Sequence, residues 1–219
     1  MPIHDWTRVE AGIFHSFHNA WITHLGDALN GGLLPPNYYA LGEQHAGRFV
    51  TDILTLHASP ANGGRRTLAI RHVRGHCLIA MVKIVSPANK DRLESVDEFV
   101  AKTVEALDVG VHVLLLDLLP PGRLDPRGLH GAVWNQFDEG PYDLPVAELL
   151  TLASFNAGPQ VKAFLEHLAV GGTLAEMPLF LHAERYVPVP LEATYQAGYL
   201  GVPAFWRNVL EGREAPAGG

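Results

Sequence analysis

The sequence predicts a protein of the α/β or α+β class, built on a mixed sheet flanked by helices. Three observations point there. An amphipathic stripe near the N-terminus is followed by short apolar and β-branched runs separated by Gly and Pro breaks. A second amphipathic stripe, residues 92–109, stands between two apolar runs, residues 77–85 and 111–119. A helix that joins two strands of one sheet makes those strands parallel neighbours.

Taken in order, residues 1–12 read as an irregular arm that Trp6 and Val9 pin to the body. A helix follows over residues 13–30, where Phe14, Phe17, Trp21, Ile22, Leu25 and Leu29 recur at three- and four-residue spacing. Asn30-Gly31-Gly32 and Pro35-Pro36 stop it. Strands are expected at residues 38–44, 49–57, 67–73 and 77–85, the last two forming a hairpin around Arg74-Gly75. Ser86-Pro87 ends the fourth, because proline cannot donate to a ladder. The helix at 92–109 carries Leu93, Val96, Phe99, Val100, Val104 and Leu107 on one face, and Gly110 caps it. The run 111–119 is almost wholly apolar, which suits a strand covered on both faces. Residues 120–140 read as loop with a helical turn near 130–137. Short strands at 149–155, 161–170, 177–181 and 186–189 and a broken helix at 191–211 complete the chain. The expected organisation is one domain, 1–219, with a core at 13–119 and a C-terminal extension, 120–212, packed on it.

Composition narrows the function. A net charge of −7 over 219 residues argues against tight nonspecific nucleic-acid binding, which needs a basic face. Arg65, Arg66, Arg71 and Arg74 are the one basic concentration, and a local contact with nucleic acid through them stays open. The single Cys77 supports neither an intramolecular disulfide nor a cysteine zinc site, and its apolar surroundings predict a buried position. The N-terminus lacks a signal-peptide core and no apolar run reaches membrane-span length, so no membrane partner and a cytoplasmic location are expected. A homodimer is compatible with all of this.

Three charged residues interrupt the apolar runs: Asp52 in FVTDILTL, Lys83 in LIAMVKIV and Asp117 in VLLLDLL. Burying an unpaired charge costs several kcal/mol, so each needs a partner. Glu43 and Lys90 extend the set to a mixed-charge cluster at one side of the sheet. Two readings compete for it. Carboxylates can hold a hard cation while a lysine stabilises charge on a phosphate. Alternatively, the charges pair with one another, Asp52 with Lys83 first. The twelve histidines include His15 and His18 at helical spacing, but no H-E-x-x-H pattern accompanies them. G-x-S-x-G, P-loop and G-x-G-x-x-G motifs are absent.

The segment IVSPANK, then a helix, then GVHVLLLDLLPPG, resembles the family called domain of unknown function 4058. MPIHDWTRV, LPPNYYALGEQ, DILTL, LTLASFNAGP and VPLEATYQAGY resemble a bacterial branch of it. That family is similar in turn to Uma-like proteins of the restriction-endonuclease-like, PD-(D/E)xK fold. The resemblance implies a nuclease-like core with Asp52 as metal-binding Asp, Glu43 as accessory metal ligand and Lys90 as displaced catalytic lysine. It also implies that Lys83 stands where the second metal-binding carboxylate would be, a change of two charge units. The expected function is therefore a catalytically degenerate nuclease-like binding or interaction module. The alternative is a Mg²⁺-dependent phosphodiesterase with residual activity through Glu43, Asp52 and Lys90.

Overall fold

The structure, a computed structural model, describes residues 2–43, 67–138, 140 and 142–216. The strand expected at residues 49–57, with Asp52, and the basic pair Arg65 and Arg66 lie outside the described residues.

The first helix, α1 (Ala11–Ala28), forms because its apolar residues repeat at helical spacing. Phe14, Phe17, Trp21, Ile22, Leu25 and Leu29 are all buried, as the stripe predicts. Strands β1 (Tyr38–Glu43), β2 (Thr67–His72) and β3 (Leu78–Ile84) follow. The second long helix, α2 (Leu93–Asp108), leads to β4 (His112–Asp117), whose six residues are all buried. Gly110, at φ +85°, ends α2 in the left-handed conformation that glycine adopts without strain. A short helix α3 (Gly128–Trp134) then precedes β5 (Leu150–Asn156) and β6 (Lys162–Leu168). The chain closes with a hairpin, β7 (Met177–His182) and β8 (Arg185–Val189), and helices α4 (Leu191–Leu200) and α5 (Ala204–Leu210).

One six-stranded mixed sheet runs in the order β1-β2-β3-β4-β5-β6. Among the described residues, its one parallel pair is β3 with β4, the two strands that α2 connects, and the β2–β3 pair is the expected hairpin. The later strands join this same sheet: β5 pairs with β4 and β6 with β5.

Register assigns the two faces. Leu68, Val82, Leu114 and Ser154 stand in one row across the sheet. A Cβ on Gly26 of α1 would lie 3.4 Å from Leu68, and Ser154 donates to the Pro178 carbonyl of β7. This face therefore carries α1 and the β7–β8 hairpin. The neighbouring row, Met81, Val113 and Phe155, belongs to the opposite face, as do Lys83, Leu115 and Ala153. Lys83 reaches Thr103 of α2 from there, so α2 covers that side, and α3 lies beside it.

Helix α4 packs across α1 at Gly198, where an added Cβ would sit 3.1 Å from both N and Cα of Trp21. Gly198→Ala should be close to neutral, since the ~1 kcal/mol gain in helix propensity offsets a small shift. Gly198→Val cannot be accommodated against backbone atoms and should cost about 1–3 kcal/mol in urea denaturation. The arm binds beside this contact: the Tyr195 hydroxyl accepts from the His4 amide and the Trp6 indole N–H, at 3.2 Å each.

One expectation is corrected. Cys77 is exposed rather than buried. The turn between β2 and β3 is wider than a two-residue loop, with Gly75 and His76 both at positive φ. Its His72 N–H to Cys77 carbonyl bond, 2.9 Å, leaves Cys77 in the turn and starts β3 at Leu78.

Candidate functional site: a buried ion cluster and a histidine–tyrosine–histidine bridge

The polar knot after β3 is a device for aiming a lysine. Ser86 has extended backbone, which suits the residue before a proline. Pro87 opens a single tight turn, Pro87–Asn89. The Asn89 side-chain oxygen accepts from the Ser86 amide at 2.9 Å and from its hydroxyl at 2.8 Å, while the Asn89 amide donates to the Ser86 carbonyl. With the turn locked at both ends, Lys90 is carried to the end of β4. Its Nζ lies 2.8 Å from Asp117 Oδ2 and 3.0 Å from Asp125 Oδ2, and it donates to the carbonyls of Leu119 and Pro120 at 2.9 and 3.3 Å.

Both carboxylates are held from behind. Asp117 Oδ1 accepts from the Leu119 amide at 3.2 Å, and Asp125 Oδ1 accepts from the Gly122 amide at 2.8 Å. Asp117 is 2% exposed and Asp125 is 1% exposed. Burial pushes the Asp117 carboxyl above its ordinary value, with the Lys90 charge pulling it back down. Lys90 thereby ties the loop after β4 to the turn after β3. Asp117, one of the three charges that interrupt the apolar runs, is thus paired with Lys90.

A second polar group adjoins the first. Asp117 is paired with Thr151 on β5, and Thr151 with His167 on β6, so one row crosses three strands at the sheet end. His130 of α3 and Tyr142 lie against this row. The Tyr142 hydroxyl is 2.7 Å from His130 Nε2 and 3.0 Å from His167 Nε2, and His167 Nδ1 is 3.3 Å from the Thr151 hydroxyl. Burial lowers the His130 imidazole to about 3, with His167 and Lys90 adding to the effect. Burial likewise lowers His167 and raises the Tyr142 phenol to about 12.

His130 joins the two groups. Its Nδ1 is buried and has no hydrogen-bond partner among the described residues. A Cβ on Gly128 would come within 2.9 Å of that atom and within 4.0 Å of Asp117 Oδ2. Gly128 also has φ +71°, so glycine meets both a conformational and a steric need there. A proton on Nδ1 would be a buried donor with no acceptor among the described residues. We therefore assign the proton to Nε2, which donates to Tyr142; Tyr142 donates to His167 Nε2, and His167 Nδ1–H to Thr151.

The residues proposed from the sequence fall at separate places. Glu43, at the end of the edge strand β1, is held bidentately by Arg71 at 2.8 and 3.2 Å. Strands β2 and β3 separate it from β4, where Lys90 is bound. Lys83 donates to the Thr103 hydroxyl at 2.7 Å and lies 4.1 Å from the centroid of the Phe99 ring. Asp52 lies outside the described residues. Among the described residues, no three His, Cys, Asp or Glu side chains converge to hold a metal ion. No helix among them is long and apolar enough to cross a membrane.

His130, Tyr142, Thr151 and His167 were not among the site residues read from the sequence. Only strand register and the placement of α3 bring them together. Comparisons of the chain with family models, with curated proteins and with solved structures found no match.

Proposed function

We propose that the chain is a catalytically silent binding or interaction module on a restriction-endonuclease-like core, related to the domain of unknown function 4058. The commitment of Lys90 carries this reading. A lysine that stabilises charge on a phosphate must present its ammonium to the ligand, whereas Lys90 Nζ is surrounded by Asp117, Asp125 and the Leu119 and Pro120 carbonyls. Glu43 is bound to a guanidinium, which competes with any cation for its oxygens. The order of helix, antiparallel strands, helix and parallel strand is compatible with such a core.

Calorimetric titration with Mg²⁺ or Mn²⁺ tests it, and no saturable heat is expected. Heat that is present in the wild type and lost in Asp52→Ala would favour the phosphodiesterase alternative. On the proposed core, Lys83→Glu restores the missing carboxylate and should create a divalent-cation site. A folded Lys83→Glu protein that binds no metal would count against the nuclease-like assignment.

A further inference from the structure

A pocket beside the ion cluster has no part in the binding-module reading. It lies between α3 and the last two strands of the sheet, with a volume of about 150 Å³. Trp134, Phe155, Ala163 and Leu165 form its apolar walls, and His130 and Tyr142 form its polar edge. The strand register explains the space. Phe155 is paired with Ala163, so a small side chain stands opposite a large one at the edge of the sheet. On α3, Trp134 follows His130 by one turn and so shares its face.

The polar edge has one unused capacity. A tyrosine hydroxyl donates once and accepts twice. Tyr142 bridges two imidazole nitrogens, donating to one and accepting from the other. Among the described residues, one lone pair is left for a ligand. His130 and Tyr142 are both uncharged near neutral pH, since burial holds them at about 3 and about 12. Lys90, whose charge acts on His130, is already met by two carboxylates. An ionic ligand would lose its hydration and meet no charged side chain in the pocket lining. A neutral molecule with a donor loses far less. In size, an apolar cavity of roughly 150 Å³ admits one benzene-sized ring.

We propose that this pocket binds a small neutral aromatic molecule that carries one hydrogen-bond donor. The ring packs between Trp134, Phe155 and Leu165, and the donor meets the Tyr142 oxygen. Phenol is the simplest probe. Titrating phenol into the full chain, followed by NMR of the histidine ring and Trp indole signals, should show saturable shifts at His130, His167 and Trp134. A Kd on the order of 1 mM is the expectation for so few atoms.

Three comparisons make the assignment specific. Toluene, which has the ring without the donor, should bind roughly fivefold more weakly, the effect of one hydrogen bond. Tyr142→Phe should bring phenol down to the affinity of toluene and leave toluene unchanged. Ala163→Leu fills the pocket from a half-buried edge position and should abolish the shifts in a protein that stays folded. The proposal is overturned by an absence of saturable shifts up to 50-fold above the expected Kd (roughly 50 mM). Phenol binding that survives Ala163→Leu, or toluene binding equal to phenol, would overturn it as well. If Tyr142→Phe fails to fold, the Ala163→Leu and toluene arms decide the matter.

Discussion

Lys90→Met should lower the folding free energy by about 3–5 kcal/mol at pH 7, the range for removing one partner of a buried ion pair. Methionine keeps much of the stem and its packing, so the loss isolates the charge. Asp117 and Asp125, both nearly inaccessible, would then face each other with no cation between them. Against a total stability of about 5–15 kcal/mol for an ordinary domain, the variant is marginal. The pH dependence of the deficit gives the mechanism. Burial already raises the Asp117 carboxyl, and the Lys90 charge opposes that rise. Without Lys90 the carboxyl rises further and takes up a proton in the folded protein before the unfolded chain does. Stability that depends on such a raised carboxyl is present at low pH and lost as pH rises through the folded value. The gap between wild type and variant should therefore narrow when urea denaturation is repeated at pH 5.5. Asp117→Asn placed on the Lys90→Met background should recover part of the loss at pH 7. A deficit below about 1 kcal/mol, or one independent of pH, would mean the cluster is a surface-like pair of little consequence.

How much of this was readable from the chain depends on whether the signal is local. The α1 stripe, the α2 crossover and the parallel β3–β4 pair follow from periodicity and from two apolar runs flanking a helix. The Ser86–Lys90 knot was visible as a break with a lysine at its end. That Lys90 would be spent on Asp117 and Asp125 was not, because that pairing depends on how the loop after β4 folds back. Likewise, Thr151 and His167 are separated by a turn and carry no motif, yet antiparallel register makes them neighbours. A polar residue inside an apolar run was the usable signal. Asp117 in VLLLDLL showed it clearly, and Thr151 in ELLTLASF and His167 in FLEHLAV showed it more weakly. Cys77 illustrates the reverse error: apolar neighbours suggested burial, but the width of the turn decided its exposure.

Acid should unfold this protein early, starting below pH 6.5 and well before its carboxylates titrate in bulk. Burial lowers His130 to about 3 and His112 to about 4, and it lowers His4 and His167 as well. A histidine with a depressed folded value binds its proton in the unfolded chain first. Its contribution to stability is thus complete above about pH 6.5, the unfolded value, and declines as pH falls towards the folded one. His130, enclosed by α3 and the sheet, approaches the full slope of about 1.4 kcal/mol per pH unit. The other three add to it in the same direction, less than in proportion where solvent screens the ring. Asp117 has the opposite sign, because its folded carboxyl is raised, but it exchanges at most one proton against up to four. The net effect between pH 6.5 and 5 is destabilisation. Denaturant midpoints measured at pH 7, 6 and 5 should fall steadily, and His130→Gln should flatten the slope by up to one proton while retaining a side chain that can donate to Tyr142. Midpoints that hold constant over this range, or a His130→Gln slope equal to that of the wild type, would place the imidazole in contact with solvent and remove the basis for a neutral polar edge on the pocket.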